Sequence, residues 1–210
     1  MITGDEIDFI FSDLTERREV EFKQSVNWNT DAMKVKIAKS VMAFSNIRNG
    51  GWLVIGVRQN ENHTYSPVGM SEEDYASFNI DNVLAYINAR AEPPVNIEIK
   101  KEIKKLENSQ GRFIIFKIYE FEDYPIFCKD DGGITFEHKG VRSTFLHKGV
   151  LYTRSRRTYE SAPIQNQSDM KEIVDMILTK YSQEFARRFR KITEIEESGE
   201  EQFIQELGGV

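Results

Sequence analysis

Between Met33 and Phe44 the apolar residues Met33, Ile37, Val41 and Phe44 recur at intervals of four, four and three, whereas Trp52 to Val57 is apolar almost throughout. The first pattern draws one stripe along a helix, and the second is that of a fully buried strand. Thr30 or Asp31 can cap the helix, and Lys34, Lys36 and Lys39 lie off its stripe. The polar turn from Asn46 to Gly50 should end it. Ahead of it, Ile7, Ile10, Phe11 and Leu14 predict a short helix within residues 3–15. Val20-Glu21-Phe22-Lys23 alternates as a short strand does.

Further along, polar residues from Gln59 to Pro67 predict a turn or hairpin loop. Ser71 caps a second predicted helix, with Glu72 to Asp74 in its first turn and Phe78, Val83, Leu84 and Ile87 inward. Pro93-Pro94 closes that region. Val95–Ile103 and Phe113–Tyr119 alternate as an antiparallel pair joined by the polar loop Glu107–Gly111. Pro125 to Phe127 starts another extended piece, and Gly132, Gly133 and Gly140 punctuate a hairpin-like stretch. The triplets His138-Lys139-Gly140 and His147-Lys148-Gly149 read as paired turns, and Val150 to Arg154 reads as the last strand. Met170 to Phe189 predicts a third strong helix, with Ile173, Ile177, Tyr181, Phe185 and Phe189 on one side. Beyond Ile192 six glutamates (194, 196, 197, 200, 201 and 206) make the chain acidic, which predicts a flexible tail. The rival reading of that tail is a small docking helix using Phe203, Ile204 and Leu207.

At 210 residues and 40% hydrophobic content, the chain can bury one sizeable core. Its net charge of -6 and pI near 5.3 argue against a globally basic nucleic-acid binder but leave room for a local basic face. Cys128, the single cysteine, cannot form an intramolecular disulfide, and no Cys/His spacing resembles a zinc site. No run approaches a membrane span, and the first residues lack the order of a signal peptide. The expectation is a cytoplasmic protein without a membrane partner.

Three carboxylates, Glu16, Glu19 and Glu21, fall within six residues. With Val20 inward on a strand, Glu19 and Glu21 project together on the opposite face. Such a group can bind a divalent cation that activates water against a phosphodiester. It can equally pair with Arg17, Arg18 or lysines on an exposed face, the commoner fate of surface charge. The turn from Ser45 to Gly51 lacks the preceding strand and the Gly-Lys-Ser/Thr ending of a Walker loop, so ATP hydrolysis is not indicated. Its glycines can serve the reversal from helix to strand, and its amides can meet a backbone phosphate. Arg154, Ser155, Arg156, Arg157 and Thr158 form the densest basic and hydroxyl run, suited to phosphate oxygens. Arg187, Arg188, Arg190 and Lys191 form a second cluster, suited to a helix C-terminus or to neutralisation by the acidic tail. Trp28 and Tyr152 are of the type that stacks on bases, and a tryptophan at this place fits burial in the core at least as well. The three histidines have no nucleophile at a spacing that suggests a triad.

Taken in order, Glu16…Glu21-Phe22-Lys23, Ala43-Phe44-Ser45-Asn46, Gly50-Gly51, Leu53-Val54-Ile55-Gly56-Val57 and Leu151-Tyr152-Thr153-Arg154-Ser155 resemble the Schlafen AlbA_2 domain family over about residues 14–163. The resemblance implies an α+β (mixed α/β) domain with a central mixed sheet flanked by helices, binding DNA or RNA. It also implies, from the vertebrate members, a possible endoribonuclease that cleaves transfer or ribosomal RNA with two glutamates, an aspartate and a divalent metal. The two glutamates correspond to Glu16 and Glu21, which keep the family's five-residue interval. The aspartate's place after the Ile-Gly-Val strand holds Arg58, Gln59 and Asn60, with Glu61 and Asp81 as the nearest substitutes. The family glycine after the distal arginine is replaced by Ser155-Arg156-Arg157, which adds positive charge.

Binding therefore survives this comparison better than catalysis does. The leading expectation is a non-enzymatic nucleic-acid-binding module, regulatory or defence-related, using Lys23, Ser45, Asn46, Arg154, Arg156 and Arg157 and requiring no cofactor. The second is an endoribonuclease in which Glu16 and Glu21 are the catalytic and metal-binding residues, with Mg²⁺ or Mn²⁺. The third is an interaction protein that recruits a protein partner through its acidic tail. The expected organisation is a Schlafen AlbA_2-like domain at 1–163, a helix packing on it at 164–192 and a flexible acidic tail at 193–210. A homodimer would extend the reach of so small a domain.

Overall fold

The computed structural model describes residues 1–106, 109–130, 135–138, 141–144 and 146–207, with side chains described outside 135–138, 141–144 and 188–207. The first half contains α1 (Gly4–Ser12), β1 (Val20–Lys23), α2 (Asp31–Ser45), β2 (Gly51–Ile55), β3 (Val57–Gln59), β4 (Tyr65–Pro67), α3 (Glu72–Ser77) and α4 (Ile80–Asn88). The second contains β5 (Ala91–Glu92), β6 (Ile97–Lys105), β7 (Gln110–Ile118), β8 (Phe127–Cys128), β9 (Thr135–His138), β10 (Val141–Thr144), β11 (Tyr152–Arg154), β12 (Ser161–Pro163) and α5 (Gln167–Leu207). The fold is α+β.

A four-stranded sheet in the order β1-β2-β7-β6 forms its centre. It is mixed: β1 runs parallel to β2, and β7 lies antiparallel to both β2 and β6. Leu53 stands opposite Phe116 and Ile55 opposite Ile114, all in the core on the α2 side, while Val54 opposes Ile115 in the core on the α1 side. That register keeps one apolar set on each face, and a slip of one residue would exchange them. Hence β2 and β7 read as continuous apolar runs, because helices cover both sides. Thr3 and Glu6 form a capping box at the start of α1, and Ile7 and Ile10 dock that helix on the sheet.

α2 is the most enclosed element. Nearly every residue from Val35 onward is buried, since the sheet lies on one side and α4, β11 and β12 contact the helix as well. The single stripe of Met33, Ile37, Val41 and Phe44 thus understates its burial. Thr30 takes the N-cap position, although its side chain makes no capping hydrogen bond.

Three expectations need correction. The apolar run from Trp52 to Val57 is not one strand: at Gly56, whose N–H donates to the Lys23 carbonyl at 2.8 Å, the chain turns and β3 pairs with β4. The helix begun by Ser71 breaks after Ser77, because the Asn79 side chain accepts from the Asn82 N–H and starts α4 afresh. Of the two readings of Trp28, burial holds: it packs against Phe78 and Tyr86. Along α5, Ile173 is buried and Ile177 partly so, but Tyr181 and Phe185 are exposed. A spacing of four drifts by roughly 40° per step against a helix of 3.6 residues per turn, so the row rotates off the domain.

The backbone of α5 continues as helix past residue 192 to Leu207. β9 and β10 pair antiparallel in the expected hairpin region, whereas Glu107, Gly132, Gly133, Lys139 and Gly140 lie outside the described residues. Among the described residues no helix is long and apolar enough to cross a membrane.

The reversal from α2 into β2 depends on Gly50 and Gly51. Gly50 has φ +67°, and a Cβ there would stand 2.0 Å from the Ile118 carbonyl oxygen. A Cβ on Gly51 would stand 2.3 Å from a Phe44 ring carbon and 2.6 Å from the Glu19 carbonyl. Gly51→Ala will therefore lower stability by roughly 1–3 kcal/mol, read as a lower urea midpoint at unchanged m. A midpoint equal to that of the wild type would mean that Phe44 and β1 move aside without cost.

Candidate functional site

Alternation along β1 sends Val20 and Phe22 to the α1 side of the sheet and leaves Glu21 facing α2. There the Glu21 carboxylate is buried and accepts from Arg154 Nη1 at 2.7 Å and Ser40 Oγ at 3.2 Å, with Lys23 Nζ at 2.5 Å. Arg154 comes from β11 and is 1% exposed. Its Nε donates to the Arg18 carbonyl at 3.2 Å, and its guanidinium lies 4.6 Å from the centre of the Phe44 ring. Burial holds the Arg154 pKa below its ordinary value, with Glu21 and Glu16 opposing that effect.

Around this pair lies a second layer of charge. Arg18 donates to the Arg154 carbonyl at 3.0 Å and grips Glu172 of α5 through both terminal nitrogens, at 2.9 and 2.6 Å. Arg156 reaches the same Glu172 at 2.9 Å. Burial raises the Glu172 pKa, but the hydrogen bonds from Arg18 and Arg156 outweigh it and hold the carboxyl below the usual 4.5. Lys39, half-buried over the Tyr152 ring, has its pKa lowered by desolvation against the pull of Glu160 and Glu21. Glu16 accepts from the Tyr65 hydroxyl at 2.7 Å. Carboxylates and cations alternate through the cluster, so the charge is compensated locally.

The residues expected to contact nucleic acid divide into two groups. Ser45, Asn46 and Arg154 are buried and spend their polar atoms inside the protein. Ser45 Oγ donates to the Val41 carbonyl at 3.1 Å. Asn46 donates to the carbonyls of Ile126 (2.8 Å) and Tyr152 (2.9 Å) and accepts from the Ile126 N–H (2.8 Å), pinning the end of α2 to the β11 side. Tyr152, of the type that stacks on bases, is buried, and its hydroxyl accepts from the His147 N–H at 2.8 Å. Lys23 is partly exposed, and Arg156 and Arg157 are exposed at the tip of the β11–β12 hairpin. The Ser155 hydroxyl accepts from the N–H groups of Arg157 and Thr158, both at 3.2 Å, and fixes that tip.

The glycine turn also differs from the phosphate-meeting loop considered above. Its Asn49 N–H donates to the Glu120 carboxylate at 2.6 Å, and Lys180 holds that carboxylate at 2.6 Å. An internal anion occupies the place. Nothing in the local sequence signals it, because Glu120 lies 71 residues away.

Residues 16–162 match the family described as Schlafen, AlbA_2. The chain belongs to the Schlafen AlbA_2 family. No curated protein matches it. Among solved structures it is similar to the DIP2311 protein from Corynebacterium diphtheriae, at 14% identity and a TM-score of 0.46. That likeness covers 80% of this chain and 27% of the other, so the chain spans just over a quarter of that protein's length.

In this Schlafen AlbA_2 domain the two glutamates sit among cations and hydroxyls. Among the described residues no three of His, Cys, Asp and Glu gather as metal ligands. Glu61 lies between β3 and β4 and Asp81 in the first turn of α4, and neither joins Glu16 and Glu21 in such a group. Hard cations want several charged oxygens, whereas the Glu21 oxygens already meet Arg154, Lys23 and Ser40.

Two measurements follow from this geometry. Arg154→Met should cost roughly 3–5 kcal/mol by leaving Glu21 short of a partner, and adding Glu21→Gln should recover part of the loss. Equal losses in the single and double variants would remove the pair from the account. Because the Glu172 carboxyl sits below its unfolded value, its contribution is complete above pH 4.5 and lost as pH falls below that value. Glu172→Gln should be less stable than the wild type at pH 7 and show a flatter acid limb below pH 4.5. Parallel acid limbs would refute this.

Proposed function

We propose that this domain is a non-enzymatic nucleic-acid-binding module whose outer contact is the β11–β12 hairpin tip, with Arg156 and Arg157 as phosphate contacts. Membership of the Schlafen AlbA_2 family supports a nucleic-acid-related role. The observation that carries the binding reading is the division of labour among the cations. Arg154 and Arg18 are spent on Glu21, on Glu172 and on backbone carbonyls, whereas Arg156 and Arg157 stand outside on a turn braced by Ser155. A phosphate can compete with the Glu172 carboxylate for Arg156, since the guanidinium binds both in the same forked geometry. The net charge of -6 favours contact through this confined basic tip over binding by the whole surface.

Binding of labelled duplex DNA and of structured RNA, followed by fluorescence anisotropy across a salt series, tests this reading. Affinity should fall as salt rises, and Arg156→Ala/Arg157→Ala should weaken binding and make the slope of log K against log salt shallower by roughly two for duplex DNA. Transfer RNA incubated with the protein and Mn²⁺ or Mg²⁺ should stay intact. Undetectable binding, or a slope unchanged in the double variant, would overturn the proposal. Metal-dependent cleavage abolished by Glu21→Gln would replace it with the nuclease reading.

A further inference from the structure

The first turns of α5 dock on the domain through Ile173, Met176 and Ile177, with Lys180 tied to Glu120. The same turns carry a second apolar row, Val174, Leu178, Tyr181 and Phe185, whose members are 43–72% exposed. Carried down the helix at 3.6 residues per turn, this row falls on Phe189, Ile192, Ile195, Gly199, Phe203 and Leu207. The exposed row is therefore the start of one stripe that runs to the end of α5. A helix gains most of its stability by covering such a stripe.

Charge along α5 is ordered as well. Arg187, Arg188, Arg190 and Lys191 form a basic segment, and Glu194, Glu196, Glu197, Glu200 and Glu201 form an acidic one directly after it. The sequence of the helix is thus apolar-rich, basic, acidic and again apolar at Phe203, Ile204 and Leu207. A parallel copy would set like charge against like. An antiparallel copy related by a two-fold axis near Thr193 sets each basic segment against the other's acidic segment, and Leu178 to Phe185 against Phe203 to Leu207. Self-complementarity of this kind is what an isologous two-fold interface requires.

We propose that α5 is a dimerisation helix that pairs antiparallel with α5 of a second copy of this chain. The paired length, from Thr179 to Leu207, is about 42 Å at 1.5 Å per residue. In this register the end of the partner helix falls level with Thr179. There a groove of ≈ 450 Å³, lined by Tyr124, Ile177 and Tyr181 among others, opens beside the exposed row. Gly199 lies on the stripe and leaves room for close approach of the two helices.

Analytical ultracentrifugation of the full chain should give twice its mass of 24.4 kDa. Leu178→Glu/Tyr181→Glu should sediment as a monomer while its domain still unfolds cooperatively. Cysteine substitution reads the direction of pairing, because Cys128 is buried and does not compete. Ile192→Cys, on the stripe and one residue from the axis, should link to itself across the dimer under mild oxidation. Phe185→Cys, on the same stripe, should not, since its two copies lie about 24 Å apart along the axis of an antiparallel pair. A monomeric wild type, a double variant that remains dimeric, or self-linking through Phe185→Cys would each overturn the proposal. Nucleic acid plays no part in these measurements, so they stand or fall apart from the binding reading.

Discussion

Glu21 and Arg154, both buried, meet at 2.7 Å although 133 residues apart in sequence, and they join β1 to β11 across the end of α2. Burying either charge alone costs several kcal/mol, and their attraction offsets that only when the remaining polar atoms also find partners. Here they do. Ser40 and Lys23 complete the carboxylate, the Arg18 carbonyl and the Phe44 ring complete the guanidinium, and Arg18 returns a hydrogen bond to the Arg154 carbonyl. Since half of such a network is worse than an apolar core, the pair is favourable only with β1, α2 and β11 all in place. It thereby ties the sheet, the central helix and the β11–β12 hairpin to one another.

Most of the elements that support this pair were legible from period alone. β1, α2, β2, β6 and β7 fall close to where alternation and helical spacing put them, because long apolar patterns report burial directly. What the sequence leaves open has one physical origin: a residue type states what it can bond to, not whether the partner is water or protein. Ser45, Asn46 and Arg154 belong to the types that meet phosphate, and the fold uses them as internal connectors. Asn46 in particular follows the most enclosed helix of the chain, and its amide replaces backbone partners that Ile126 and Tyr152 would otherwise lack. The partner of Glu21 was beyond reach of local pattern, since nothing near either residue marks the other. The short β12 strand and the break at Asn79 were likewise invisible, because three residues or one side-chain cap leave no period to detect.

The same distinction separates inner from outer chemistry at the candidate site. A carboxylate pair at Glu16 and Glu21 suits a metal only while its charge is uncompensated. With Arg154 and Lys23 against Glu21 and Tyr65 against Glu16, a divalent ion would have to displace a buried guanidinium whose removal strands other groups. Internal cations perform the neutralising role around Glu21. Arg156 and Arg157 display their charge farther out, on the hairpin. Its tip owes its orientation to the buried arginine two residues before Arg156.

α5 links these features mechanically. It is clamped to the domain by Glu172, which holds both Arg18 and Arg156, and by Lys180, which holds Glu120 and through it the glycine turn. The two clamps lie eight residues apart, about 12 Å along the helix. Two anchors at that spacing fix the direction of the helix as well as its position. Of the two cations on Glu172, Arg18 holds it through both terminal nitrogens and Arg156 through one. The inner clamp on α5 therefore rests chiefly on Arg18, which is less exposed than Arg156.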